Sequence, residues 1–111
     1  MKKIKIYVGD QKFFDEMDNQ VWKNSERFVD EFSVFVTPDL FPKIFTKERL
    51  KLLGALEERP ENMNELARML KRPREAVSRD FNYLNSIGLV DFERRGKEKV
   101  PKKAAPISVS L

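Results

Sequence analysis

Six polar residues recur at helical spacing between positions 74 and 85: Arg74, Glu75, Ser78, Arg79, Asn82 and Asn85. On a 3.6-residue helix they share one broad face, while Ala76, Val77, Phe81 and Leu84 take the other. Arginine can pair bidentately with a guanine edge, asparagine with adenine, and a carboxylate can accept from cytosine. Arg79 and Asn82 are the best suited to base edges. Ser78 and Arg74 sit nearer phosphates, Arg74 in a first helical turn whose free backbone donors attract anions. Glu75 could accept from cytosine, cap the helix or repel unselected polyanion. A second group, Arg94, Arg95, Lys97 and Lys99, surrounds Gly96, with Lys102 and Lys103 beyond it and Arg72 before the helix. Cations on an extended loop reach phosphates or a minor groove.

Every amphipathic helix has a polar face, so the weight comes from the elements that would position this one. Asn62 with Glu65 three residues later reads as a capping box opening a helix, with Leu66, Ala67 and Leu70 inward and an end near Lys71. LKRP then makes a tight turn. Pro73 is expected at the first helical position, where its missing donor costs nothing. The next helix is predicted to end near Ser86, with Gly88 terminating it. Leu89 and Val90 begin a strand running to about Arg94, Gly96 forms a tip, and Lys97 to Val100 returns. Helix, turn, helix and basic hairpin in that order describe a helix-turn-helix with a wing. Asp80 is expected to pair with a neighbouring arginine.

The charge distribution follows the same division. Residues 1 to 65 hold 11 basic and 13 acidic side chains, whereas residues 66 to 103 hold 11 and 5, within a chain of net charge +4. Cations concentrated on one half favour a polyanion through counterion release. The 111 residues contain no cysteine and no histidine, so disulfides and thiolate metal sites are excluded, and the commonest metal ligand and general base are missing. No nucleotide-binding glycine motif occurs. No catalytic set, metal or cofactor is expected. No apolar run spans a membrane and none reads as a signal peptide, so the cytoplasm is the expected location.

Upstream, Ile4, Ile6 and Val8 alternate with Lys3, Lys5 and Tyr7 as in a strand. Asp10 can cap a helix running to about Ser25, with Phe13, Phe14, Met17, Val21 and Trp22 near one face. A second strand falls within Glu26 to Val36, with apolar residues on both sides, and Pro38 breaks it. DLFPKI at 39–44 reads as a connector turned by Pro42. Phe28, Phe32, Phe35, Phe41 and Phe45 suit core or subunit packing better than base stacking, because only Lys43 lies among them. A further helix runs from Thr46, its N-cap, to about Glu58, with Leu50, Leu53 and Leu56 on one stripe extended by Leu52. PKKAAP at 101–106 is a spacer. ISVSL at 107–111 alternates as a final strand, to be covered by the first strand or by a partner subunit.

The run from Phe45 to Pro101 resembles the winged helix-turn-helix of prokaryotic transcriptional regulators in the MarR and ArsR superfamilies. It is most similar to small archaeal and bacterial DNA-binding proteins, some of them antitoxin-like. The residues carrying this likeness are Thr46, Arg49–Leu50, Leu52–Leu53, Asn62, Glu65–Ala67, Val77, Asp80, Leu84 and Gly88–Val90. The resemblance implies sequence-specific binding to double-stranded DNA, commonly as a homodimer. An α+β fold is therefore expected: a strand-helix-strand extension over 1–45 for dimerisation or core support, a winged helix-turn-helix over 46–100, and a strand extension over 101–111. The alternative is a protein-interaction module, such as the antitoxin partner of a small toxin, which could bind DNA as well. An RNA-binding winged helix follows it, and an enzyme comes last.

Overall fold

The computed structural model describes residues 3–16 and 30–110. Its fold is α+β, with a helix-turn-helix core preceded and followed in the chain by strands. The chain divides into two compact units: Met1–Ile44 with Ala105–Leu111, and Phe45–Ala104.

The first unit is built on a parallel sheet of strand order β2-β1-β5. Strand β1 is Lys3–Val8, β2 is Glu31–Val36 and β5 is Ile107–Ser110. Parallel neighbours need a crossover rather than a tight turn. Residues 11–16 supply helix within the first crossover, opened by Asp10, whose Oδ1 accepts from Phe13 N at 2.9 Å. The remainder of the helix expected to Ser25, with Met17, Val21 and Trp22, lies outside the described residues, as does Phe28. Gly9 is needed where β1 leaves the sheet, because a Cβ there would meet the Phe13 ring at 2.3 Å.

Ile4 and Ile6 are fully buried, as expected. Tyr7, assigned to the polar side, is buried as well: its ring stacks on Phe35 at 5.2 Å and its hydroxyl donates to Glu31 Oε2. The second crossover to β5 passes through the whole second unit, so the final strand pairs with β1 in register from Ile4 opposite Ile107. DLFPKI contains one helical turn, α1, Phe41–Ile44.

The second unit holds α2, Lys47–Ala55, continued by a 3-10 turn at Leu56–Glu58, then α3, Met63–Leu70, and α4, Arg74–Ser86. A hairpin of β3, Val90–Arg95, and β4, Glu98–Lys103, follows. Thr46 caps α2, accepting from Arg49 N, and Asn62 caps α3, accepting from Glu65 N at 2.8 Å. Glu65 Oε2 in turn accepts from Glu61 N at 3.1 Å, completing a reciprocal box displaced by one residue. Each cap stabilises its helix by about 1 kcal/mol. The core includes Leu52, Leu56, Leu66, Val77, Phe81, Leu84 and Leu89.

Three expectations change here. Leu50 is 49% exposed rather than part of the core stripe. The buried face of α2 runs through Leu52 and Leu56, four residues apart, and 50 falls off it by helical geometry. Pro73 occupies the N-cap with ψ 140°, and Arg74 is the first helical residue. Pro101 belongs to β4, opposite Phe92, so the hairpin extends past Val100 and the spacer is shorter than 101–106. A two-stranded ribbon has an outer edge on each strand where the missing proline donor is tolerated.

Candidate nucleic-acid interface

Helix α4 presents the anticipated polar residues, and Arg74, Glu75, Arg79 and Asn82 are exposed. What fixes this helix is a charged cluster on its flank. Asp80 takes Arg49 Nε at 3.3 Å and Arg72 Nη1 at 2.9 Å, the second as an ion contact off hydrogen-bond alignment. Arg49 also lies over the Tyr83 ring, 3.8 Å from its centroid. The expected partner of Asp80 is thus a pair of arginines tying α2 and the turn to α4.

That cluster determines what Arg72 can do. Its guanidinium is held between Asp80 and, at 3.7 Å, Glu48. Asn85 donates from Nδ2 to Val90 O at 2.7 Å, fastening the end of α4 to the start of β3. Lys103 pairs with Glu57. These three side chains have internal partners. Arg74, Arg79, Arg94, Lys97, Lys99 and Lys102 have no ion pair among the described residues.

The hairpin register sorts the wing cations. Arg95 and Glu98 close a two-residue loop in which Gly96 takes a φ of +61°, the geometry of a tight hairpin with glycine leading. Directly opposed residues share a face of an antiparallel ribbon. Phe92, Arg94, Lys99 and Pro101 therefore lie on one face, and Glu93, Arg95, Glu98, Val100 and Lys102 on the other. The first face meets α4: the Phe92 and Phe81 rings are 4.7 Å apart, and Lys99 Nζ lies 5.9 Å from the Phe92 centroid. The second face mixes charge signs, with Arg95 3.6 Å from Glu93.

Arg94 and Lys99 are thus like charges set opposite each other with no carboxylate on their own face. Such a pair is locally destabilising. The hairpin keeps it beside a helix whose outward side chains are themselves donors. A cleft of about 340 Å3 joins them, lined by Arg74, Ser78 and Asn82 of α4 with Phe92 and Lys99 of the wing. Four of the residues singled out from sequence thereby converge on one concavity. Asn62, Met63 and the Glu98 carboxylate also line it. Sequence reasoning gave Asn62 only a capping role and Phe92 none; the strand parity of Phe92 with Arg94 was the available signal.

Among the described residues no group of three acidic, histidine or cysteine side chains could hold a metal ion. Within the same residues no helix is long and apolar enough to cross a membrane.

Helix-turn-helix plus hairpin defines the winged helix-turn-helix class, and a solved structure shares the fold. It is the solution structure of the homodimeric winged helix-turn-helix DNA-binding domain of Mb0332 from Mycobacterium bovis, a possible ArsR-family transcriptional regulator. The likeness has a TM-score of 0.50 at 18% identity and covers 87% of this chain and 75% of that one. The HVO_A0114 family model matches residues 44–104, more than half of the chain, and the chain belongs to that family. No curated protein matches the sequence.

Proposed function

We propose that this chain is a non-catalytic regulator of transcription that binds double-stranded DNA in the cytoplasm. Helix α4 enters the major groove, Arg79 and Asn82 read base edges, and Arg94 and Lys99 of the wing contact backbone or minor groove. The observation that carries this reading is the opposed Arg94–Lys99 pair on the wing face that packs on α4. Duplex phosphates would relieve its repulsion, and the same cations would hold α4 in register. Arg74 and Ser78 fit phosphate contacts at the edge of the cleft. Arg72, Asn85 and Lys103 serve instead to position the helix and hairpin through their internal partners.

The regulator acts as a homodimer, the state described for the Mycobacterium bovis domain. Support within this chain is the β5 strand, uncharged over Ile107–Ser110 and paired along one side with β1. Among the described residues its other side has no strand partner. Two recognition helices about 34 Å apart would meet successive major grooves. Selection of bound duplexes from a random pool tests this reading. It should return a two-fold-symmetric preference that Arg79→Ala relaxes. Wild-type protein that retains no duplex at low salt would sink it.

A second reading, docking to a protein partner such as a toxin, rests on different residues. Phe32 and Phe35 are 39% and 41% exposed, and Leu40 is 48% exposed, all in the first unit. Co-purification of a stoichiometric partner that Phe32→Ser/Phe35→Ser abolishes would support it. A partner retained by that variant would count against it.

A further inference from the structure

The wing face opposite α4 borders a second cleft, of about 580 Å3, between the hairpin and the loop that leaves the 3-10 turn. Its floor is made by Leu56, Pro60, Val100 and Pro101, all of them buried. Among the described residues no backbone hydrogen bond joins residues 59–62 to β4. The loop is therefore not drawn onto the hairpin, and the gap between them stays open. Its volume lies in the range of small-ligand sites.

The rim carries both signs of charge. Arg95 lies 3.6 Å from Glu93 and is engaged by it. Arg59 and Lys102, and against them Glu61 and Glu98, also line the cleft. These four are exposed and have no ion pair among the described residues. Each wall thus offers one unpaired cation and one unpaired carboxylate: Arg59 and Glu61 from the loop, Lys102 and Glu98 from the hairpin. Arg59 takes a left-handed backbone at φ 53°, where a Cβ is strained and glycine is usual. The chain keeps an arginine at the rim in spite of that strain. The carboxylates repel a polyanion, which sets this cleft apart from the cationic face beside α4.

We propose that this cleft is a ligand site for a small zwitterion with an apolar body, of the chemistry of a short apolar peptide with free termini. Arg59 and Lys102 take its carboxylate, and Glu61 and Glu98 its ammonium, through charge-assisted hydrogen bonds. Its apolar side chains lie over the floor. The inference goes beyond the DNA-binding reading and does not depend on it.

The full chain is titrated calorimetrically with L-leucyl-L-leucine, with its N-acetyl derivative, which lacks the ammonium, and with its amide, which lacks the carboxylate. Saturable binding at one site per chain is expected for the free dipeptide, with each derivative weaker by about tenfold. Arg59→Gly/Lys102→Gln should weaken the free dipeptide by about tenfold and leave the amide unchanged. Both positions are exposed, and glycine suits the left-handed backbone at 59, so this variant should keep its thermal midpoint.

No saturation with the dipeptide up to about 10 mM overturns the site, since affinity weaker than that would be below what two charge-assisted contacts supply. Derivatives that bind as well as the free dipeptide overturn the recognition of its ends. A variant that weakens the amide as much as the dipeptide overturns the role of Arg59 and Lys102. The derivative series on wild-type protein tests the site whether or not the variant folds.

Discussion

The segment Phe45–Ala104 carries 15 basic and 10 acidic side chains, whereas the rest of the chain carries 7 and 8. The exposed apolar residues follow a different distribution. Phe32, Phe35, Leu40 and Val109 belong to the first unit, and Leu50, Met69 and Tyr83 to the second, where Arg49 covers the Tyr83 ring. Among the described residues of the first unit, Glu31 accepts from Tyr7 and Ser33 and lies 3.9 Å from Lys3 across the sheet. In the second, Arg74 and Arg79 of α4 and Arg94 and Lys99 of the wing have no ion pair among the described residues, while Arg95 on the opposite wing face lies 3.6 Å from Glu93. A surface that leaves cations uncompensated is suited to a polyanion. A sheet with open edges and exposed phenylalanines is suited to another apolar or strand-forming surface. Under the proposed function, that difference puts DNA contact in one unit and association in the other.

The comparison can be broken first through packing. Phe81 is fully buried and joins α4 to the wing through Phe92. Phe81→Ala should cost about 3–5 kcal/mol in urea unfolding and abolish duplex binding. Retained affinity would mean that the wing and α4 do not act together. In the first unit, Gly9→Ala drives a methyl into the Phe13 ring. Thermal unfolding should show a loss of about 1–3 kcal/mol.

Contact with bases gives the next effect. Arg79→Ala should cost about 1–3 kcal/mol against the preferred duplex and little against unrelated ones. Equal losses on all duplexes would move Arg79 to the phosphates. The smallest effect is expected at Asn62→Ala, which removes the α3 cap for about 1 kcal/mol of stability. Urea midpoints for the variant and wild type would measure it.

Local chemistry made much of the second unit legible. Thr46 and Asn62 were readable as caps because a side-chain oxygen three residues before a free amide is enough. Gly88 and Gly96 were readable because each takes a positive φ, at 85° and 61°. What escaped depends on distant pairing. The roles of Arg72 and Asn85 follow from Asp80 and Val90, contacts fixed only when helices and hairpin pack. The division of wing cations between two faces needs the hairpin register, and slipping it by one residue would invert the faces. The partner of β5 is separated from it by most of the chain. The sequence ends α3 near Lys71, but the left-handed conformation of that residue has no sequence signature.

Amide chemical-shift mapping of the full chain, titrated with its selected duplex, tests the division of labour between the units most directly. The largest changes are expected within residues 74–82 and 94–99, with residues 3–8 and 31–36 unaffected at DNA saturation once the protein's own association is held constant. Saturable duplex binding that shifts the sheet strands and leaves α4 and the wing unmoved would contradict that division.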